Sequence, residues 1–258
     1  MLSNEVFLHE IFSAIQGEGP CVGVRQLFVR LCECNLACRF CDTPASRGRS
    51  LTCRIEQTAG ARDFAVMANP LSADQLDEMV VRLNRPRHHS LSLTGGEPLL
   101  QADFLVEALP RLRKRLPIYL ETNGTLPGEL AKIVQQLDFI AMDIKLPSAA
   151  GVAEQFAAHA EFLAIASKRA RELANAAAIF VKIVITANTD EDELTRAFSL
   201  VAAVDPSLEV VLQPVSEVGE ELAKPPAPEQ VLKWQSLGLE QLNCVRVIPQ
   251  MHRLMEQL

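Results

Sequence analysis

No apolar run in the sequence is long enough to cross a bilayer, and nothing has the charged, apolar and small-residue succession of a signal peptide. Both absences point to a cytoplasmic chain with no membrane partner. A basic stripe is missing too: 25 Lys and Arg stand against 32 Asp and Glu, a net charge of −7. Nucleic acid is therefore excluded as a partner. There is no internal repeat and no low-complexity tract. What remains is ordinary globular composition, 48% hydrophobic and 22% charged, in 258 residues that fit a single α/β domain over 1–258. Seven cysteines stand out. In a reducing compartment clustered thiols bind metal or react rather than pair.

The rhythm along the chain is apolar run, turn, amphipathic stretch. Candidate strands are Arg25–Leu31, Ser90–Thr94, Ile118–Glu121, Phe139–Ile144, Ile179–Ile185, Leu208–Leu212 and Val245–Ile248. Most are short and almost continuously apolar, as strands covered on both faces by helices should be. The clearest helix pattern starts at Ser72, three residues before Gln75, and puts Leu76, Met79, Val80 and Leu83 on one face. Others group Phe104, Leu105, Ala108, Leu109 and Leu112, and then Leu130, Ile133, Val134 and Leu137. Strands alternating with helices imply βαβ units and a mainly parallel sheet, open or barrel-like. Two stretches break the rhythm. Residues 44–70 read as an inserted lid or loop, and the proline-rich Ser216–Pro228 as an exposed loop.

The segment Cys34-Asn-Leu-Ala-Cys38-Arg-Phe-Cys41 brings three sulfurs within reach of one centre when the backbone curls. Thiolates suit zinc or an iron–sulfur cluster. A closed structural site wants four ligands, and no second Cys-x-x-Cys follows. A cubane on three cysteines leaves one iron open to an external ligand. Zinc with a distant histidine, or three buried thiols, is the alternative. Cys32, on the preceding strand, reads as structural, and Cys21, Cys53 and Cys244 as bystanders.

In parallel α/β folds ligands sit at the carboxyl ends of strands. The unusual polar residues fall there: Thr94-Gly95-Gly96-Glu97-Pro98, Glu121-Thr122-Asn123-Gly124 and Asp143-Ile144-Lys145. Two glycines let backbone approach a ligand closely, and a carboxylate can accept from an ammonium. A tight turn explains the glycines equally well, and Lys145 could be a solvated strand-end lysine. Arg30 lies on a strand expected to be buried on both faces, where an unpaired guanidinium is costly. An anionic ligand would offset that cost, as would an ion pair with Glu18 or Glu33.

The cysteine spacing resembles the C-x-x-x-C-x-x-C signature of the radical S-adenosylmethionine (SAM) superfamily. Glu10-Ile-Phe-Ser-Ala-Ile-Gln-Gly-Glu-Gly19, the strand ending in Arg30-Leu31, Cys41-Asp42-Thr43, and Val247-Ile-Pro-Gln-Met-His-Arg253 together resemble the 7-carboxy-7-deazaguanine synthase family over nearly the whole chain. The resemblance implies a partial (βα)6-type barrel with a parallel sheet, outer helices and a C-terminal extension. It implies a [4Fe–4S] cluster on Cys34, Cys38 and Cys41 that reductively cleaves SAM to a 5′-deoxyadenosyl radical. Phe40, Gly95, Gly96, Glu97, Asn123, Asp143, Ile144 and Lys145 would bind SAM. The implied reaction is a lyase step, from 6-carboxy-5,6,7,8-tetrahydropterin to 7-carboxy-7-deazaguanine with loss of ammonia, on the route to queuosine and related 7-deazapurines. Ile15, Gln16, Gly17, Glu18, Arg30, Thr94, Glu121, His252 and the carboxylate of Leu258 would surround the pterin. Thr43 would hold Mg²⁺, although a threonine before Pro44 is equally a turn residue. Flavodoxin or ferredoxin would donate electrons to a homodimer. For the tail, the alternative is that Met251, Leu254 and Met255 pack an amphipathic last turn and leave His252 in solvent. Glu33 departs from the family, which has glycine before the first cluster cysteine, as do Met251 for threonine and Arg253 for lysine. Other readings are a glycyl-radical activase, which needs the cluster but not Gln16–Gly19 or Arg30, and a metal-binding module without catalysis.

Overall fold

The computed structural model describes residues 5–173, 179–216 and 223–257. Its strands are β1 (Glu5–Val6), β2 (Leu8–Ile15), β3 (Arg25–Leu31), β4 (Thr52–Glu56), β5 (Phe64–Ala68), β6 (Leu71–Ser72), β7 (Leu91–Gly95), β8 (Ile118–Thr122), β9 (Phe139–Ile144), β10 (Ile179–Ile185), β11 (Glu209–Pro214) and β12 (Val245–Val247). The helices among the described residues are α1 (Ala73–Leu83), α2 (Ala102–Leu112), α3 (Pro127–Ile133), α4 (Pro147–Ala150), α5 (Phe156–Leu173), α6 (Glu191–Val204), α7 (Pro228–Leu239) and α8 (Met251–Leu254).

Ten strands form one sheet in the order β12-β11-β10-β9-β8-β7-β3-β2-β4-β5. From β3 to β12 every neighbouring pair is parallel. Helices alternate with β7 to β11, so the chain is a partial (βα)6 barrel with β12 and the tail appended. Continuous apolar stretches such as Ile-Phe-Val-Lys-Ile-Val-Ile make these strands, because both faces of the sheet are covered. The expected helices form around their apolar stripes. Ser72 Oγ accepts from Gln75 N at 3.3 Å while Gln75 Oε1 accepts from Ser72 N at 2.8 Å, which closes the capping box of α1. The third pattern is α3 followed by a 3₁₀ turn over Val134–Gln136, and Leu130, Ile133, Val134 and Leu137 are all buried.

Residues 44–70 are not a lid. After a 3₁₀ turn at Pro44–Arg47 the chain makes the antiparallel pair β4–β5, and β4 runs parallel to β2. Thr52-Cys-Arg-Ile alternates exposed and buried positions, a two-residue period that apolarity alone does not reveal. β2 was likewise not anticipated, because Glu10 and Ser13 interrupt it; partners from β3 and β4 satisfy both. Of the expected loop 216–228, residues 217–222 lie outside the described residues, and Pro228 starts α7. No described helix is long and apolar enough to cross a membrane.

Candidate active site

A cavity of about 380 Å³ opens at the carboxyl ends of the parallel strands. Its floor is the loop after β3. Glu33 starts that loop with φ of 73°, the left-handed conformation glycine adopts most easily. The glycine that the resemblance implies here would adopt it without strain; in this chain Arg49 pairs with the Glu33 carboxylate at 2.9 Å. The 3₁₀ turn then hems in the loop. Glu33 N donates to Ser46 O at 2.8 Å, Cys34 N to Arg47 O at 3.2 Å, and the Arg47 guanidinium to Cys38 O. Cys34, Cys38 and Cys41 all line the cavity. Burial pushes the Cys34 and Cys38 thiols up, and the charge of each neighbouring sulfur opposes ionisation of Cys34 further. These two become thiolates only beside strong positive charge. Cys32 is fully buried in the core and faces away from the cavity.

Along the ends of β7, β8 and β9 lies a second group. Gly95 has φ of 135°, and a side chain there would strike the Leu31 carbonyl. One at Gly96 would strike the Glu33 carbonyl, so both glycines are required for the strand end to lie against the thiol loop. The Glu97 carboxylate is fully buried, accepting from Leu99 N at 3.1 Å, Thr122 Oγ1 at 2.8 Å and Asn123 N at 2.8 Å. Burial pushes it up to about 7 against those bonds. It braces two strand ends, with three of its acceptor positions taken. The Ile144 side chain points into the core, because alternate residues of β9 face opposite ways and Asp143 and Lys145 take the cavity. Lys145 Nζ is 2.7 Å from Asp143 Oδ2 and 5.1 Å from the centre of the Phe40 ring, which excludes a solvated lysine. Asn123 lines the cavity and donates to Asn35 Oδ1 at 2.9 Å.

The opposite wall is polar. Gln16 Nε2 donates to Gln26 Oε1 and Glu121 Oε1, both at 2.8 Å, and Gln16 Oε1 accepts from Glu18 N at 3.0 Å. Thr94 Oγ1 donates to Glu121 Oε2 at 2.7 Å. Arg30 faces this wall but pairs with neither Glu18 nor Glu33: its Nε donates to Oε1 of Glu10, its direct partner in the β2–β3 ladder, at 2.9 Å. Glu18 carries the densest set of bonds. Oε2 takes Lys182 Nζ at 2.5 Å, and Oε1 takes Gln213 Nε2 and Gln250 Nε2 at 3.0 Å each. Burial opposes its charge, yet the Lys182 ammonium outweighs this and holds the carboxyl down at about 2. Ile15 and Gly17 complete this side.

The tail closes the rim. Met251 N donates to Gly17 O at 2.9 Å, and His252 lies so close over Gly17 that a side chain there would collide with it. Leu254 is 73% exposed and Met255 39%, so the last turn is not held by apolar packing. Leu258 lies outside the described residues. Thr43 lines the cavity and donates to Asp42 Oδ1 at 3.3 Å. One ligand atom each from Glu18, Asp42 and His252 lie within 4.8 Å of one another, an arrangement able to hold a cation. Lys182 and Gln213 were missed by sequence reading. The signal for Lys182 was present: a lysine inside an otherwise apolar parallel strand needs a buried partner.

The family model of the radical SAM superfamily matches residues 30–193, more than half of the chain. A protein of Geobacter sulfurreducens named 7-carboxy-7-deazaguanine synthase is 43% identical over 254 residues, covering 97% of each chain. The chain belongs to the 7-carboxy-7-deazaguanine synthase family of radical SAM enzymes. A family member from Archaeoglobus fulgidus is 37% identical over 250 residues, covering 95% of this chain and 96% of that one. In fold, the chain is similar to the crystal structure of QueE from Escherichia coli, with a TM-score of 0.59 at 18% identity, covering 96% of this chain and 95% of that one.

Radical SAM enzymes carry a [4Fe–4S] cluster and use SAM, and the residues present fit both. Cys34, Cys38 and Cys41 converge on one cavity, and iron supplies the positive charge that the burial of Cys34 and Cys38 demands. Asp143 Oδ1 is buried there without a donor, an acceptor left for a ligand hydroxyl or ammonium.

Proposed function

We propose that the chain converts 6-carboxy-5,6,7,8-tetrahydropterin to 7-carboxy-7-deazaguanine with release of ammonia, as the family's name implies. The observation that carries this reading is the wall built from Gln16, Glu18, Arg30, Thr94 and Glu121 opposite the three thiols, under a tail pinned at Gly17. A flat heterocycle bearing N–H donors and a carboxylate matches these acceptors and this guanidinium. When bound, the cluster supplies the electron that cleaves SAM and so generates the hydrogen-abstracting radical. The protein's own residues orient and shield. Phe40 and Lys145 flank the SAM pocket, with Asn123 and Asp143 offering polar partners and Gly95 and Gly96 giving access to backbone. Arg30 pairs with the pterin carboxylate through guanidinium nitrogens not engaged by Glu10. Glu18 and Glu121 accept from its amino-rich edge, and His252 completes the enclosure. Mg²⁺ is held by Thr43 beside Asp42, with water and substrate as its other ligands. The single domain over 1–258 works in the cytoplasm as a homodimer and takes electrons from flavodoxin or ferredoxin.

The test uses the anaerobically reconstituted, reduced protein with SAM and the pterin. Formation of 7-carboxy-7-deazaguanine supports the reading. Release of 5′-deoxyadenosine without that product transfers support to an activase, and neither product indicates a non-catalytic module. Arg30→Lys keeps the charge and loses the fork; it should raise KM for the pterin about tenfold while SAM binds as before. Equal loss of both ligands would assign Arg30 to folding.

A further inference from the structure

β10 is apolar on both faces except at Lys182, whose side chain is 17% exposed and lines the cavity. Its ammonium stands between two walls that the chain builds separately. Nζ is 2.5 Å from Glu18 Oε2, on the loop after β2, and 3.1 Å from Asp143 Oδ2, at the end of β9. Each carboxylate has further anchors, and Gln250, which donates to Glu18, also lies 3.5 Å from Asp42 Oδ2 at the end of the thiol loop. Glu18 is held by Gln213 and by Gln250 of the tail, and Asp143 by Lys145, which lies over Phe40 in the thiol loop. Among the described residues Lys182 is the side chain that ion-pairs with both. A continuous line thus runs from the tail through Glu18, Lys182, Asp143 and Lys145 to the loop that carries the cluster cysteines.

We propose that Lys182 is a positioning residue that couples the two ligands, so that SAM and the pterin each strengthen binding of the other. This rests on the assignment of Glu18 to the pterin and Asp143 to SAM. An ammonium has three donors in a tetrahedral set, and here two are committed to carboxylates on different loops. A ligand that settles on Asp143 fixes Oδ2, hence the ammonium, hence Glu18. The ordering cost of the bridge is then incurred once rather than at each binding event, which gives positive cooperativity without a large movement. By linkage the effect must be the same in both directions. The buried Oδ1 of Asp143, which has no donor, is the point at which the first ligand takes hold.

The experiment is an anaerobic titration of the cluster-loaded protein with SAM, with and without saturating pterin, and the reverse titration. For the wild type each ligand should tighten the other about tenfold, by one common factor. Lys182→Met should bring that factor to within about twofold of one, whatever happens to the separate affinities. Lys182→Arg, which can still bridge, should keep most of it. Lys182→Met leaves Glu18 without its ammonium partner and Asp143 with Lys145 alone, so Lys182→Gln, able to donate to one of them, replaces it if circular dichroism and cluster absorbance report a damaged protein. A folded Met or Gln variant with undiminished coupling overturns the inference, as does a wild-type factor of one when both ligands bind. A wild type that binds SAM but no pterin overturns the substrate reading itself.

Discussion

Glu97 and His159 show what burial does to a charge when partners differ. Glu97 is protonated up to about pH 7 in the fold, whereas His159, whose Nε2 is 3.1 Å from Asn123 O, is lowered by burial to about 4, as is His88. The signs oppose. Between about 4 and 6.5 the unfolded chain binds protons that the two folded histidines refuse, so they cost stability as pH falls; Glu97 returns some of it between about 7 and 4.5. His9 and His89 are lowered by burial too, so the histidines together leave a net loss. Stability should therefore fall by about 1–2 kcal/mol from pH 7 to 5, and His159→Gln should shrink that drop in thermal melts. An unchanged drop would remove His159 from the account. Gly96 makes a steric claim of the same kind. Gly96→Ala would push the Glu33 carbonyl away and, with Cys34 next to it, should cost about 3 kcal/mol and most of the bound iron. Gly48→Ala, with nothing within 4 Å, should keep iron at the wild-type level.

Among the elements, the tail and α1 carry opposite kinds of prediction. α1 is held by its cap and its buried stripe, far from the chemistry, so Ser72→Ala should lower stability by about 1 kcal/mol and leave turnover alone. The tail is held mainly by Met251 N on Gly17 O and by Gln250 on Glu18. Gly17→Ala would displace His252 and should raise KM for the pterin about tenfold, the scale of one lost hydrogen bond. SAM cleavage without product should persist in that variant. If pterin kinetics are unchanged, the tail does not touch the substrate.

The sheet, the cavity and the thiol loop together make ligand binding a contribution to stability. SAM at a hundredfold over its Kd should stabilise the cluster-loaded protein by about 2.7 kcal/mol, or roughly 5–10 °C in melting temperature. Removing the iron with a chelator should lower the melting temperature and abolish the response to SAM. A full SAM response without iron would mean that the strand ends alone hold it.

Local spacing was enough for the thiol loop and the strand-end polar motifs, because a few consecutive residues decide which side chains can converge. It was enough too for the parallel core, where unbroken apolar runs between turns leave one solution. Pairing across long separations was not legible. Lys182 meets Glu18 across 164 positions and Gln250 meets it across 232, and no local pattern encodes such a register. Arg30 could be read as needing an anion, but only the β2–β3 ladder selects Glu10. Whether Glu97 faces the cavity or braces two strands depends on the donors that β8 brings to it. Residues 44–70 became a hairpin because β2 offered an edge to pair with. The sequence by itself determined the chemistry the chain can carry. The tertiary structure decided which charges neutralise one another and which remain for ligands, since burial and pairing belong to the assembled fold.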